Sequence, residues 1–210
     1  MPHRLHLAAG RASSRFVDAA LIDEARRHAT VSGGTAVEVA SVQEAYDAIE
    51  ASAHPIESMD IHSHGGGGFV TLSTSNSLTQ DSWQRFQPLA SRFAPGARVE
   101  FFGCAVARGA AGELFIARCA WYLLRVNGGE AVGYTATGFD TFAVLGDLSE
   151  GTPVSTGQRV TARVARGGHV TLTGALTLDL ASTKYRLERA VERCGAETSL
   201  ASPHPSKVER

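Results

Sequence analysis

Hydrophobic and polar positions change period repeatedly along this chain. Short apolar or β-branched runs give way to stretches at helical spacing and back again. Leu5–Ala9 reads as a strand, and Ser13–Ala29 as a helix with Ser13 or Ser14 at its cap and Phe16, Ala20, Ile22 and Ala25 near helical spacing. After the break at Gly33-Gly34, Thr35–Ala40 is β-branched and apolar, a second strand. Ser41 opens a helix reaching about Ser52, with Glu44 completing a capping box. Ile56–His64 is the next strand, ended by the glycines Gly65–Gly68, and Phe69–Thr74 is an edge strand or hairpin arm. Thr79–Phe93 reads as a helix closed by Pro95-Gly96, followed by a strand over Ala97–Ala107. Gly112–Val126 is a largely apolar helix stopped by Asn127-Gly128-Gly129, and Glu130–Thr137 is a strand.

Alternating strand and helix imply βαβ crossovers, so an α/β fold is expected: a mainly parallel central sheet of about six strands sandwiched by helices. After Leu145 the character changes. Arg159–Arg166 and Val170–Leu180 alternate with β-branched residues, Ser182–Cys194 is a charged helix, and the remainder holds Pro203 and Pro205. The expected organisation is an α/β unit over 1–146, a small C-terminal β/α appendage over 147–196 and a flexible tail over 197–210.

A chain of 210 residues, 43% hydrophobic, can bury a sizeable core. Its 20 basic and 21 acidic residues give a net charge of −1, which argues against an electrostatic nucleic-acid binder. No apolar run approaches the ~18 residues of a membrane span, and the first residues lack the apolar stretch of a signal peptide. Three cysteines, Cys104, Cys119 and Cys194, suit reduced thiols better than a disulfide framework. The expected location is cytoplasmic, or outside the cell by export without a cleavable leader.

Chemistry concentrates at two strand ends, where open parallel sheets place their functional groups. In Met59–His64, alternation puts Asp60, His62 and His64 on one side, and the glycines that follow are expected to present backbone N–H groups to a ligand. In Val99–Ala105, an apolar strand delivers Cys104 directly after Gly103. A Cys and a His on neighbouring strand ends are the minimum set for thiol hydrolysis: a thiolate attacks a carbonyl, an imidazole handles protons, and amides hold the oxyanion. The 40 residues between His64 and Cys104 suit one crossover between adjacent strands.

These blocks resemble the caspase-like cysteine peptidases, in which an apolar strand ending in His-Gly precedes one ending in a small residue plus Cys. More closely, Ile56–Gly65, Val99–Ala107 and Gly112–Phe115, with Val132–Gly138 as the next strand, resemble a bacterial domain of unknown function regarded as caspase-like. The resemblance spans roughly Leu5 to Gly146 and implies a dyad with Cys104 as nucleophile and His64 as general acid. It further implies an oxyanion hole from the Gly65 and Cys104 amides, and no cofactor or metal. Gly66–Gly68 and Gly103 depart from the caspase pattern. The primary specificity pocket would draw on Glu130–Thr137, so Glu130 and Tyr134 join His62 and Asp60 as substrate-binding candidates, with Asp140 a further acidic one.

Cys119 falls on an apolar helical stripe with Phe115 and Leu123, a core position, and Cys194 is incidental. Trp83, Phe86 and Phe93 read as core, whereas His3, His6, His28, His54, His169 and His204 have no partner that spacing suggests. His62-x-His64 is similar to the paired histidines of metallo-β-lactamase-like hydrolases, but Gly66-Gly67 replaces the Asp-His that should follow. A metal-dependent hydrolase using His62 and His64, with Cys104 as a further ligand, is the weaker alternative. An esterase is excluded by the lack of Gly-x-Ser-x-Gly. The remaining alternative is a caspase-like scaffold whose dyad is idle. The leading expectation is a cysteine endopeptidase acting on protein or peptide substrates, bacterial and either an effector or self-processing. Arg159–Arg166 would be a processing loop and Ser182–Arg210 a pro-segment or a site for a regulatory partner.

Overall fold

The computed structural model describes residues 3–10, 18–136, 138–139, 154–155 and 158–174. The chain divides into two units, Met1–Thr177 and Leu178–Arg210, and every described residue belongs to the first. The helix expected at Ser182–Cys194, the tail, Asp140 and Cys194 lie outside the described residues.

The first strand, β1 (His3–Ala9), leads through α1 (Asp18–Ser32) to β2 (Thr35–Val39), then through α2 (Val42–Glu50) to β3 (Ile56–His62). The Ser41 capping box forms: the Ser41 hydroxyl accepts from the Glu44 N–H at 3.1 Å while the Glu44 carboxylate accepts from the Ala40 N–H at 2.9 Å. A small antiparallel sheet follows, β4 (His64–Gly66), β5 (Phe69–Thr71) and β6 (Ser77–Thr79). The stretch expected as an α-helix is instead a 3₁₀ segment, Ser82–Arg92. Pro88 lies inside it, and a ring that removes one N–H weakens an α-ladder.

Next come β7 (Phe93–Phe101), α3 (Gly109–Cys119) with a π-helical continuation over Ala120–Leu124, and β8 (Gly129–Tyr134). The short pair β9 (Gly138–Phe139) and β10 (Val154–Ser155) precedes β11 (Arg159–Val164) and β12 (Val170–Gly174). Pro95-Gly96 does not close a helix but lies in a bulge. Ile56 of β3 faces Phe93 and Ser58 faces Arg98, and the Gly96 N–H donates to the Gly128 carbonyl at 3.1 Å.

The main sheet has seven strands in the order β12-β11-β8-β7-β3-β1-β2. Pairs from β2 through β8 are parallel, and β11 and β12 add antiparallel at one edge. Both strands expected within the 147–196 segment therefore extend the central sheet. Arg159–Val164 is hydrogen-bonded on both sides, to β8 and β12, which corrects its reading as a processing loop: cleavage there would first require unzipping two ladders.

One face of the sheet carries Leu5, Leu7, Met59, Ile61, Val99 and Phe101, all buried. Trp83, Phe86, Phe101 and Phe115 form a buried aromatic group with neighbouring ring centroids 5.1–5.8 Å apart. Burial of each such side chain contributes about 1.5–3 kcal/mol. The opposite face is different. Beneath α1, Ala8 packs on Ile22 and Ala25, but along β3, β7 and β8 the same face presents His62, Asp60, Glu100, Arg98 and Glu130. No helix among the described residues is long and apolar enough to cross a membrane.

Candidate functional site

The pairing of β3 with β7 sets the geometry of the two strand ends. Ile61 lies opposite Phe101, and the Phe102 N–H donates to the Ile61 carbonyl at 2.9 Å. His64 and Cys104 each follow three residues after that last pair. The backbones stay close over that distance. A Cβ on Gly103 would lie 3.2 Å from the Ser63 carbonyl oxygen, and one on Gly65 would lie 3.5 Å from that of Cys104. The strands end earlier than apolar character alone suggests, at His62 and Phe101, so Cys104 stands in the turn beyond β7 and His64 opens the small sheet. Cys104 is a free thiol and only half-buried, in contrast to Cys119, which is fully buried with burial pushing its thiol pKa up. The core reading of Cys119 is the structural one.

The turn that carries Cys104 is held tightly. Ala105 adopts φ +52°, the left-handed region that costs a side-chain-bearing residue on the order of 1–2 kcal/mol. Its N–H donates to the Ala136 carbonyl at 2.9 Å, and the Ala107 N–H donates to that of Tyr134 at 3.0 Å. Val106 and Ala107 are buried, so surrounding contacts maintain the strained residue beside the thiol.

The glycine run has a packing task beside the one expected of it. The Gly68 N–H is already bonded to the Val106 carbonyl at 3.0 Å. A Cβ on Gly65 would approach Val106 Cγ2 to 2.8 Å and the Phe69 carbonyl oxygen to 2.9 Å, and one on Gly67 would approach the Arg108 carbonyl oxygen to 2.8 Å. Three of the four glycines thus let the β4–β5 hairpin lie directly on the Cys104 turn. Gly67 and Gly68 lie against the backbone of Arg108 and Ala111, Gly65 against Val106 and the Phe69 carbonyl, and Gly66 against the Phe69 ring.

The remaining sequence candidates lie on the polar face of the sheet. Tyr134 donates its hydroxyl to Glu100 Oε1 at 2.5 Å; burial, then the Glu100 carboxylate, holds that phenol above its ordinary range. Glu130 accepts from Arg163 at 2.9 Å and lies 3.4 Å from Arg159 and 3.7 Å from Arg98. The Arg163 hydrogen bond chiefly holds its carboxyl below the usual 4.5. A depressed folded pKa stabilises the protein above the unfolded value and ceases to do so as pH falls through the folded one. Glu130→Gln is therefore expected to lower stability by less than about 1 kcal/mol near neutrality, because its arginines are largely exposed. Thermal melts of both proteins from pH 7 to pH 3 should converge at the acid end.

Asp60 and His62 share a face of β3, as alternation predicts, and that face is the one under α1, whereas His64 belongs to β4 of the small sheet. His62 is fully buried. Its Nδ1 lies 3.1 Å from Glu24 Oε1 and its Nε2 lies 3.4 Å from His6 Nδ1. The second ring nitrogen of His6 meets the Ser32 hydroxyl at 3.0 Å, and His6 Nδ1 is 3.3 Å from Asp60 Oδ2. The His28 ring stacks near Phe102 and lies 5.2 Å from that of His62. Burial, reinforced by the neighbouring histidines, depresses the His6 pKa to about 3, and burial raises that of Asp60 to about 6. Both ring nitrogens of His62 thus face groups other than His64, and among the described residues His6, Asp60 and His62 are the side chains close enough together to hold a metal ion. Sequence reasoning passed over His6 and His28. The signal lay in strand parity: parallel register sets His6 opposite Asp60 and Ala8 opposite His62.

A sequence profile described as a domain of unknown function (DUF4347) matches residues 15–125. That span includes β3, the small sheet, β7 and the Cys104 turn. No curated protein and no solved structure matches the chain.

Proposed function

We propose, for a chain that belongs to the DUF4347 family of domains of unknown function, a cysteine peptidase whose reaction is carried by Cys104 and His64. The observation that carries this reading is the parallel pairing of β3 with β7 up to Ile61 and Phe101, each three residues before His64 and Cys104, with the two backbones still close at Gly65 and Cys104. The left-handed Ala105 is a second support, since backbone strain gathers where a reactive group must be presented. The resemblance of the His-Gly and Gly-Cys blocks to caspase-like peptidases points the same way.

In this mechanism the Cys104 thiolate attacks the scissile carbonyl carbon, and the carbonyl π pair moves onto oxygen, received by the Gly65 and Cys104 amides. Such donors contribute about 2.7–4 kcal/mol each. Collapse of the tetrahedral adduct breaks the C–N bond, and His64 protonates the departing amine. A water molecule gives a proton back to His64 and its oxygen to the acyl carbon, which breaks the thioester C–S bond, releases the acid product and restores the thiolate. The substrates are proteins or peptides.

The test pairs thiol labelling with a positional-scanning peptide library, run on the wild type and on Cys104→Ala. Iodoacetamide or a peptidyl electrophile should label Cys104 well ahead of Cys119, and the library should yield a cleavage preference in the wild type alone. A Cys104 that reacts no faster than in the denatured chain, with no peptide cleaved, would leave the idle scaffold as the better reading.

A further inference from the structure

We propose that His6, Asp60 and His62 form a binding site for one zinc ion, which ties β1 to β3 under α1. The site is separate from the thiol chemistry and does not depend on it.

The argument begins with proton counting. The Glu24 carboxylate accepts hydrogen bonds, so His62 Nδ1, 3.1 Å away, carries the proton and His62 Nε2 presents a lone pair. That lone pair points at His6 Nδ1, 3.4 Å distant, which also faces Asp60 Oδ2 at 3.3 Å. The Ser32 hydroxyl can accept from His6 Nε2 or donate to it; in the tautomer with the proton on Nε2, three electron-pair donors converge with no proton among them. A single proton on His6 Nδ1 would satisfy one of its two neighbours and leave the other facing a buried lone pair. A divalent cation satisfies all three.

The spacing agrees. Zinc holds N and O ligands at about 2.0–2.2 Å, and a tetrahedron of that size has edges of about 3.3–3.6 Å. The observed donor separations of 3.3 and 3.4 Å fall there, and all three donor atoms lie within 4.8 Å of one another. The outer nitrogens are already engaged by a carboxylate and a hydroxyl, the arrangement that orients metal-bound imidazoles. Two imidazoles and a carboxylate without sulfur suit zinc or a similar borderline ion better than calcium or magnesium. Histidines His6 and His62 are almost fully buried, whereas the Asp60 side chain is 19% exposed, so entry and a fourth, water ligand belong on its side.

The experiment uses the full chain carrying Cys104→Ala, so that the reactive thiol cannot bind the probe. After chelator treatment and dialysis, zinc is titrated against a chromogenic competitor, and cobalt(II) is added as a spectroscopic substitute. One equivalent should bind. The melting temperature should rise by about 5–10 °C at a hundredfold excess over Kd. Cobalt should give the intense d–d bands of a tetrahedral centre without a thiolate charge-transfer band. Asp60→Asn, at the partly exposed ligand, should lose at least a hundredfold in affinity, and Glu24→Gln should lose about 10–100-fold. Binding that survives His6→Gln and Asp60→Asn unchanged, a thiolate band, or no rise in melting temperature with added zinc would each overturn the site.

Discussion

A Cys104→Ala protein is expected to lose peptide turnover to the level of the uncatalysed reaction while melting within a few degrees of the wild type. No other group at the β3 and β7 ends can form the thioester, and Cys104 is only half-buried, so its loss opens no sealed cavity. His64→Gln should act differently. It keeps the thiol and removes proton transfer to the leaving amine, a loss of about 10²–10⁴-fold in turnover. Substrates with activated ester or thioester leaving groups need no such proton, so they should recover most of that loss. Cleavage of both substrate classes should be abolished in Cys104→Ala. If His64→Gln slows the activated substrate as much as the peptide, His64 is not the acid, and the dyad assignment fails even if Cys104 proves to be the nucleophile.

What was legible in the sequence was whatever local chemistry determines. The Ser41–Glu44 capping box is decided within four residues and appears as read. The parallel α/β architecture follows from alternation over whole elements, and the structure has it. Element ends are another matter. β3 ends at His62 because its partner β7 leaves the ladder at Phe101, a fact no property of Ser63 or His64 encodes. The 3₁₀ segment turned on Pro88, which a pattern of apolar spacing overlooks. The packing of the glycines after His64 is not legible in the sequence, because the Cys104 turn on which their hairpin lies is some forty positions away. His6 was invisible for the same reason: its carboxylate and imidazole partners stand more than fifty positions away, joined only through the β1–β3 register. Contacts set by neighbouring residues are legible in the sequence, and those set by strand register are not.

The Gly112→Ala variant sets two quantities against each other, and their sizes decide the sign. Gly112 lies in the first turns of α3, where replacing glycine by alanine ordinarily gains about 1 kcal/mol in helix propensity. Here the added Cβ would lie 2.3 Å from the Ala107 carbonyl carbon, 2.6 Å from the Val106 oxygen and 2.7 Å from the Ala107 Cα. All three are backbone atoms, and Val106 and Ala107 are buried under the β4–β5 hairpin, so no side chain can swing aside. Overpacking of this kind costs typically 1–3 kcal/mol or more, which exceeds the propensity gain. The net expectation is a melting temperature lower by several degrees, at about 2–4 °C per kcal/mol for a chain of this size. The displaced atoms belong to the turn that begins with Cys104 and contains the strained Ala105, so the alkylation rate of Cys104 in the folded protein should change with the melting temperature. A conservative substitution about eight residues from the thiol would thus alter both stability and reactivity through one steric contact. An unchanged or raised melting temperature would show that α3 can slide away from the turn, and would separate the packing of this helix from the presentation of the thiol.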